Sequence, residues 1–398
     1  MENSKSYNLD QVTDNRFNKL TKVLFGIGFI SLIASLILFS SDTHYFFFSY
    51  LTVFCFFLTV SLGGMFIVLI QYITSAGWSV VVRRVPELLM KNITLLIFLS
   101  IPLFFGLKDL YHWTHLEEVL HDHLLQIKRP YLNVPFFIIR MILYFSIWSW
   151  ISNTFFKLST EQDETKDPEI TNQLQKSSTY SMILFGLTLT FAFIDLVMSL
   201  TSHWYSTIFG VYMFAGSVLI GFCFTSLIYM LLRKYGFLKS VVTIEHFHDL
   251  GKLIYGFNIF WAYIAFCQFF LIWYANVPEE TVFYAKHFAG SWNTVAIFLS
   301  VGHFGIPFIF FMSRVVKRNL KWHAIIVVWI VLMHFLDLFW IIMPNVSKYN
   351  FSIKPIDIIL FIGFGAIYFA NFFRNLNKVN LVPKGDPRLK ESLSFVNF

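Results

Sequence analysis

Charge is what this chain most lacks. Asp, Glu, Lys and Arg make up 13% of its 398 residues, against about 25% in an average soluble domain. Cysteine is nearly missing too. Cys55, Cys223 and Cys267 each lie inside an apolar run, with no CxxC and no CxxCH, which excludes a disulfide framework, a zinc ribbon and a covalently attached c-type haem. With 11 Pro and 19 Gly, the chain is neither collagenous nor low-complexity. No Gly-rich phosphate loop, hydrolase elbow or HExxH occurs, so self-contained enzyme chemistry has no visible home. What fills the chain is apolar: 57% hydrophobic, 20% aromatic, 50 Phe and a mean hydropathy of +0.64. That is the composition of an all-α polytopic membrane protein. The excess of 30 Lys+Arg over 23 Asp+Glu reads as orientation in a bilayer rather than affinity for nucleic acid.

A hydrocarbon core about 30 Å thick takes about 20 apolar helical residues. Ten stretches meet that length: 20–40, 45–74, 92–107, 131–156, 178–200, 206–232, 253–275, 292–313, 322–344 and 356–373. Residues 1–19 form a polar N-terminal segment, 20–376 the membrane domain and 377–398 a C-terminal tail. The first span lacks an Ala-x-Ala-like cleavage site and reads as a retained helix, not a signal peptide. Of the Lys and Arg outside the spans, only Lys108, Lys128, Arg129, Lys286, Lys348 and Lys354 fall on one side. The positive-inside bias therefore places both termini in the cytoplasm. Residues 159–177 are the clearest loop.

The chain also repeats itself. The second span opens His44-Tyr45-Phe46-Phe47 and the sixth His203-Trp204-Tyr205-Ser206. The fifth ends Phe193-Ile194-Asp195-Leu196 and the ninth Phe335-Leu336-Asp337-Leu338. Spans 2–5 (about 45–200) and 6–9 (206–344) thus form two four-helix bundles of the same topology, flanked by spans 1 and 10. Four intervening helices make the repeat parallel rather than inverted.

Ionisable groups at membrane depth cost a few kcal/mol or more and mark function or pairing. Arg140, Asp195, His303, His334 and Asp337 are the candidates. At 1.5 Å per residue, His303 and His334 lie roughly 15–16 Å from the outer ends of their spans, and Asp195 and Asp337 roughly 8–10 Å. Neighbouring helices would bring the two imidazoles together, and Asp337 shares a helix face with His334. A proton path, a b-type haem on His303 and His334, a quinone pocket, and plain pairing with Arg140, Asn258 or Gln268 all suit these residues. Gly305 and Pro307 should loosen the eighth span at mid-depth. The fourth span has no counterpart, which argues against a secondary transporter. The outer segment 108–130 carries Asp109, His112, His115, Glu117, Glu118, His121, Asp122 and His123. It reads as a solvated interfacial helix or a partner-docking surface ahead of a metal site. The inner loop Glu245–Lys252, with His248, Asp249 and Lys252, is either the mouth of a proton path or a cap on the seventh helix.

Five strings taken together carry a resemblance. They are Ser75-Ala76-Gly77-Trp78 through Arg83-Arg84; Met198-Ser199-Leu200 through His203-Trp204 to Gly210-Val211-Tyr212; and His248-Asp249-Leu250-Gly251-Lys252-Leu253. The last two run from Phe260-Trp261 through Trp273-Tyr274 to Pro278-Glu279-Glu280, and from Asp337-Leu338-Phe339-Trp340 to Met343-Pro344. Over most of residues 60–345 the chain resembles the ActF-type membrane subunit of bacterial alternative complex III, a quinol:cytochrome c oxidoreductase. That subunit is similar to the NrfD-like anchors of polysulfide reductase. The resemblance implies a ten-helix subunit of the bacterial inner membrane that holds no cofactor itself, supports assembly and forms a proton half-channel. It implies as partners a sister ten-helix subunit that binds menaquinol or another quinol, an outer iron–sulfur subunit, c-type cytochrome subunits, small membrane anchors, lipids and a terminal oxidase. By position it assigns Asp195, His248, Asp249, Lys252 and Asp337 to the half-channel, to which the depth argument adds His303 and His334. Arg140 is their structural partner. Where the family often reads Ser-Leu-Asp-Pro-His-Trp, this chain has Ser199-Leu200-Thr201-Ser202-His203-Trp204, leaving Asp195 as the outer carboxylate at that turn.

Overall fold

The computed structural model describes residues 15–39 and 42–397. It is 82% helical, with no strand among the described residues. Among the described residues, ten helices are long and apolar enough to cross a membrane: α1 (Phe17–Ile37), α2 (Thr43–Ile73), α3 (Arg84–Phe105), α4 (Val134–Thr165), α5 (Pro168–Leu200), α6 (Phe209–Lys234), α7 (Ile244–Ala275), α8 (Trp292–Met312), α9 (Leu320–Asn345) and α10 (Pro355–Leu376). The protein is a multi-pass membrane protein. The start of α1 and the end of α10 share one face, the terminal face. There the Phe17 and Phe373 rings lie 5.6 Å apart and Asn377 Nδ2 donates to Asn18 Oδ1 over 2.9 Å. Residues 1–14 of the polar N-terminal segment lie outside the described residues.

Helices α2–α5 and α6–α9 form the two units, with α2 and α6 at the centre. Buried residues make up 94% of the most apolar stretch of α2 and 83% of that of α6. Within its unit α2 packs on α3 and α5, and α6 on α7 and α9. Across the divide α2 touches α9 and α6 touches α5. The contacts of α2 with α3, α5 and α9 thus mirror those of α6 with α7, α9 and α5. The two central helices cross in direct backbone contact. A Cβ on Gly63 would lie 2.0 Å from Ser217 O and 2.9 Å from Gly221 Cα, so only glycine lets the backbones meet. Gly63→Val is expected to cost about 1–3 kcal/mol or more through forced separation, measured as thermal stability in detergent. Gly26→Val, where a Cβ meets nothing within 4 Å, should leave stability unchanged. Helices α1 and α10 pair with each other, and α10 stands against α2. Tyr45 Oη donates to Asp357 Oδ2 over 2.8 Å across that contact.

Several polar segments are more ordered than their composition suggests. The loop expected at 159–177 is helix on both sides of a two-residue break. Lys166 closes α4 in a left-handed conformation (φ 55°), and Asp167 caps α5 by accepting from Glu169 N, with Pro168 in the first turn. Hydropathy marks where lipid ends, not where the helix does. Likewise Glu245–Lys252 is no loop but the opening turns of α7, where His246 Nδ1 accepts from Thr243 N at 3.1 Å. Helix α3 starts at Arg84, eight residues before the expected 92, because its charges are neutralised internally. Arg84 reaches Glu87 (2.7 Å) and Asp163 (2.6 Å), and Ser159 Oγ donates to Glu87. Arg83 pairs with Asp386 at 2.8 Å. The C-terminal tail supplies that Asp386 and packs across the terminal face. Ser392 Oγ donates to Trp78 O in one unit, and Ser392 O accepts from His246 Nε2 in the other. The outer segment 108–130 is not one helix but a chain of short turns, including His112–Thr114, Leu116–His121 and His123–Lys128.

Candidate functional site: the interior of the second unit

Loosening of α8 is the local origin of the site. Residues Ser300–Gly305 form a π-helical turn, a feature that clusters at functional positions. Pro307 cannot donate to the carbonyl of His303 four residues earlier. Asn258 Nδ2 on α7 takes that carbonyl at 2.7 Å, and Trp329 Nε1 on α9 takes the carbonyl of Gly302, also at 2.7 Å. Broken backbone inside a membrane is tolerated when neighbours satisfy it in this way. The wider turn places the buried His303 between Trp261, ring centroids 3.8 Å apart, and His334, 6.3 Å apart.

His334 is equally buried on α9. Thr59 gives its one hydroxyl proton to Phe56 O at 2.7 Å, so the 3.1 Å contact between Thr59 Oγ1 and His334 Nε2 makes the imidazole the donor. His334 Nδ1 is then a bare acceptor with no partner among the described residues. His303 Nδ1 and Nε2, one a donor and the other an acceptor in the neutral ring, and the acceptor Asn258 Oδ1 also lack a partner among the described residues. Four unsatisfied buried polar atoms within one small region are far from the rule for a folded interior. Water is the usual partner for such groups.

One turn along α9 from His334 lies Asp337. Its Oδ1 accepts from the phenol of Tyr212 on α6, and it borders a cavity of about 700 Å³ between α6, α7, α8 and α9. The walls are mostly aromatic and aliphatic, with Gln268, Tyr284, Asn293 and Ser300 as further polar groups. Tyr263, Phe266 and Ile297 line it while facing outward at about 60% exposure, so the cavity opens sideways toward lipid.

Asp195, the counterpart of Asp337 by the repeat, sits very differently. Arg140 grips it with two parallel bonds, Nε to Oδ2 at 2.8 Å and Nη2 to Oδ1 at 2.9 Å. Tyr144 Oη donates to Oδ2 at 2.9 Å. The guanidinium also donates to Tyr131 O and stacks 3.9 Å over the Tyr131 ring. Asp195 is saturated and fully buried.

The structure thus brings together His303, His334 and Asp337. It leaves Asp195 and Arg140 in the other unit, and His248, Asp249 and Lys252 at the terminal end of α7. There Asp249 pairs with Lys252, which donates to Asn397 Oδ1 at 2.9 Å, while His248 Nδ1 has no partner. Trp261 covers His303, and a Cβ added at Gly216 would lie 2.8 Å from His334 Cε1. Neither histidine borders the cavity. Sequence reasoning passed over Tyr212 and Tyr144 as partners, and over His323. The last is buried with Nε2 2.9 Å from Ser226 Oγ; its spacing of eleven from His334 puts both on one face of α9.

Outside the spans, the hydrogen bond from His203 at 2.5 Å lowers the pKa of Asp122. Burial, then the nearby Lys348, pushes Lys286 down to about 8, and burial pushes His287 down to about 4. His287 lies within hydrogen-bond distance of Phe283 O (2.7 Å) and Ile341 O (3.0 Å), tying the short helix Pro278–His287 to the end of α9 behind the cavity. No protein-family model matches the chain, and no curated protein matches it.

Proposed function

We propose that this chain is an integral, cofactor-free subunit of a bacterial quinol-oxidising respiratory assembly of the alternative complex III type, and that its second unit handles the protons. The reading rests on one contrast. Two matched carboxylates lie at similar depth, but only Asp337 keeps an open side. It borders the cavity, and one turn along the same helix begins a group of unpartnered polar atoms on His334, His303 and Asn258. A buried carboxylate beside such groups can take up and pass on a proton. Asp195, gripped by Arg140, serves the fold. The basic face that carries both termini is the cytoplasmic one under this reading, and His248, Asp249 and Lys252 stand at its mouth.

A second reading is favoured by the cavity itself: quinol binds here rather than only in a sister subunit. A volume of about 700 Å³ that is aromatic-walled, open to lipid and ended by Asp337 and Tyr212 suits a lipophilic ring with hydroxyl or carbonyl oxygens. Native purification from membranes tests both. Co-isolation with iron–sulfur and c-type haem proteins supports the assembly, and a chain that purifies alone with full activity refutes it. Extractable quinone that leaves with Tyr212→Phe favours the second reading; quinone unaffected by that change places its site elsewhere.

A further inference from the structure

On the face opposite the termini, three side chains converge that the proton-handling account does not use. His112 Nδ1 lies 3.3 Å from Glu118 Oε2, and His115 Nδ1 lies 3.4 Å from Glu118 Oε1. One donor atom from each of the three residues falls within 4.8 Å of the others. The edge of a tetrahedron around Zn²⁺, with ligands at 2.0–2.1 Å, is about 3.3–3.4 Å. Each imidazole nitrogen stands at that spacing from one oxygen of Glu118, Oε2 for His112 and Oε1 for His115. His115 Nδ1 is shielded from solvent and makes no hydrogen bond, so carboxylate and imidazole approach each other without bonding.

The loop holds this geometry from beneath. Tyr111, Trp113 and Val119 alternate with the three residues and are buried. Tyr111 Oη donates to Leu196 O at 2.9 Å, and His115 N donates to His112 O at 3.0 Å. The buried residues anchor the turn, while the His112 and Glu118 side chains are exposed to water and that of His115 is partly so, its Nδ1 covered beside the Glu118 carboxylate. We infer that His112, His115 and Glu118 form a binding site for a divalent transition metal, with Zn²⁺ the best match. Two imidazole nitrogens and a carboxylate are its ligand set, and a fourth position stays open to water. Mg²⁺ and Ca²⁺, which prefer all-oxygen shells, are excluded. The site would clamp the His112–Thr114 turn to the helix Leu116–His121. This inference stands independently of the proton-handling reading.

The test uses the full-length protein in lipid nanodiscs, with any affinity tag removed, stripped with chelator and titrated with Zn²⁺ by calorimetry and metal analysis. One tightly bound Zn²⁺ per chain is expected, with affinity reduced roughly tenfold or more in His112→Ala, His115→Ala and Glu118→Gln. It should be unchanged in Glu117→Gln and His121→Ala and in excess Mg²⁺. Absent stoichiometric binding, or binding that survives all three substitutions or falls equally in the controls, overturns the inference and leaves only adventitious metal.

Discussion

Asp337→Asn is expected to leave the protein folded and its assembly intact while slowing coupled proton movement roughly tenfold or more. Asparagine keeps the Oδ1 that accepts from Tyr212 and the volume that the cavity wall needs, so packing survives. What it loses is the capacity to bind and release a proton. The measurement is proton release per electron by the reconstituted assembly in liposomes, beside the yield of co-purified partners. Normal proton coupling in the variant would remove Asp337 from the path, whatever the rest of the interior does.

Arg140→Met should show the opposite phenotype. Removing the guanidinium strands Asp195 as an uncompensated buried charge, and breaking a buried pair in this way costs about 3–5 kcal/mol. Low yield and an early thermal transition are expected. Replacing both charges, in Arg140→Met with Asp195→Leu, should recover most of the stability, because a buried pair and a well-packed apolar substitute are often close in energy. The same logic makes Asp195→Asn destabilising, while the fraction that folds keeps its proton coupling. The two aspartates, alike in sequence, should thus fail in different assays. If Arg140→Met melts like wild type, Asp195 is not held as described.

The sequence already showed much of this. Ten apolar runs anticipate ten helices, because lipid demands apolar length. Gly305 and Pro307 foretold the disturbed turn in α8, though not that Asn258 and Trp329 would repair it. Three features stayed hidden, each for a physical reason. The ends of α4 and α5 read as loop because their residues are polar, yet Gln162 and Thr171 bond to each other beneath the C-terminal segment at 2.7 Å. Arg83 and Arg84 looked like solvated loop charges because Asp386 and Asp163 lie far along the chain. The difference between Asp195 and Asp337 could not be read at all. It depends on Arg140 reaching one and not the other, a fact of helix packing rather than of either Asp-Leu pair.

A map of the membrane-embedded protein sharp enough to show ordered water tests the central claim most directly. The account predicts water or a ligand head group beside Asp337, continued by water against His334 Nδ1, His303 and Asn258 Oδ1, and a dry contact between Asp195 and Arg140. A dry, closed Asp337, or water reaching Asp195 instead, would contradict it.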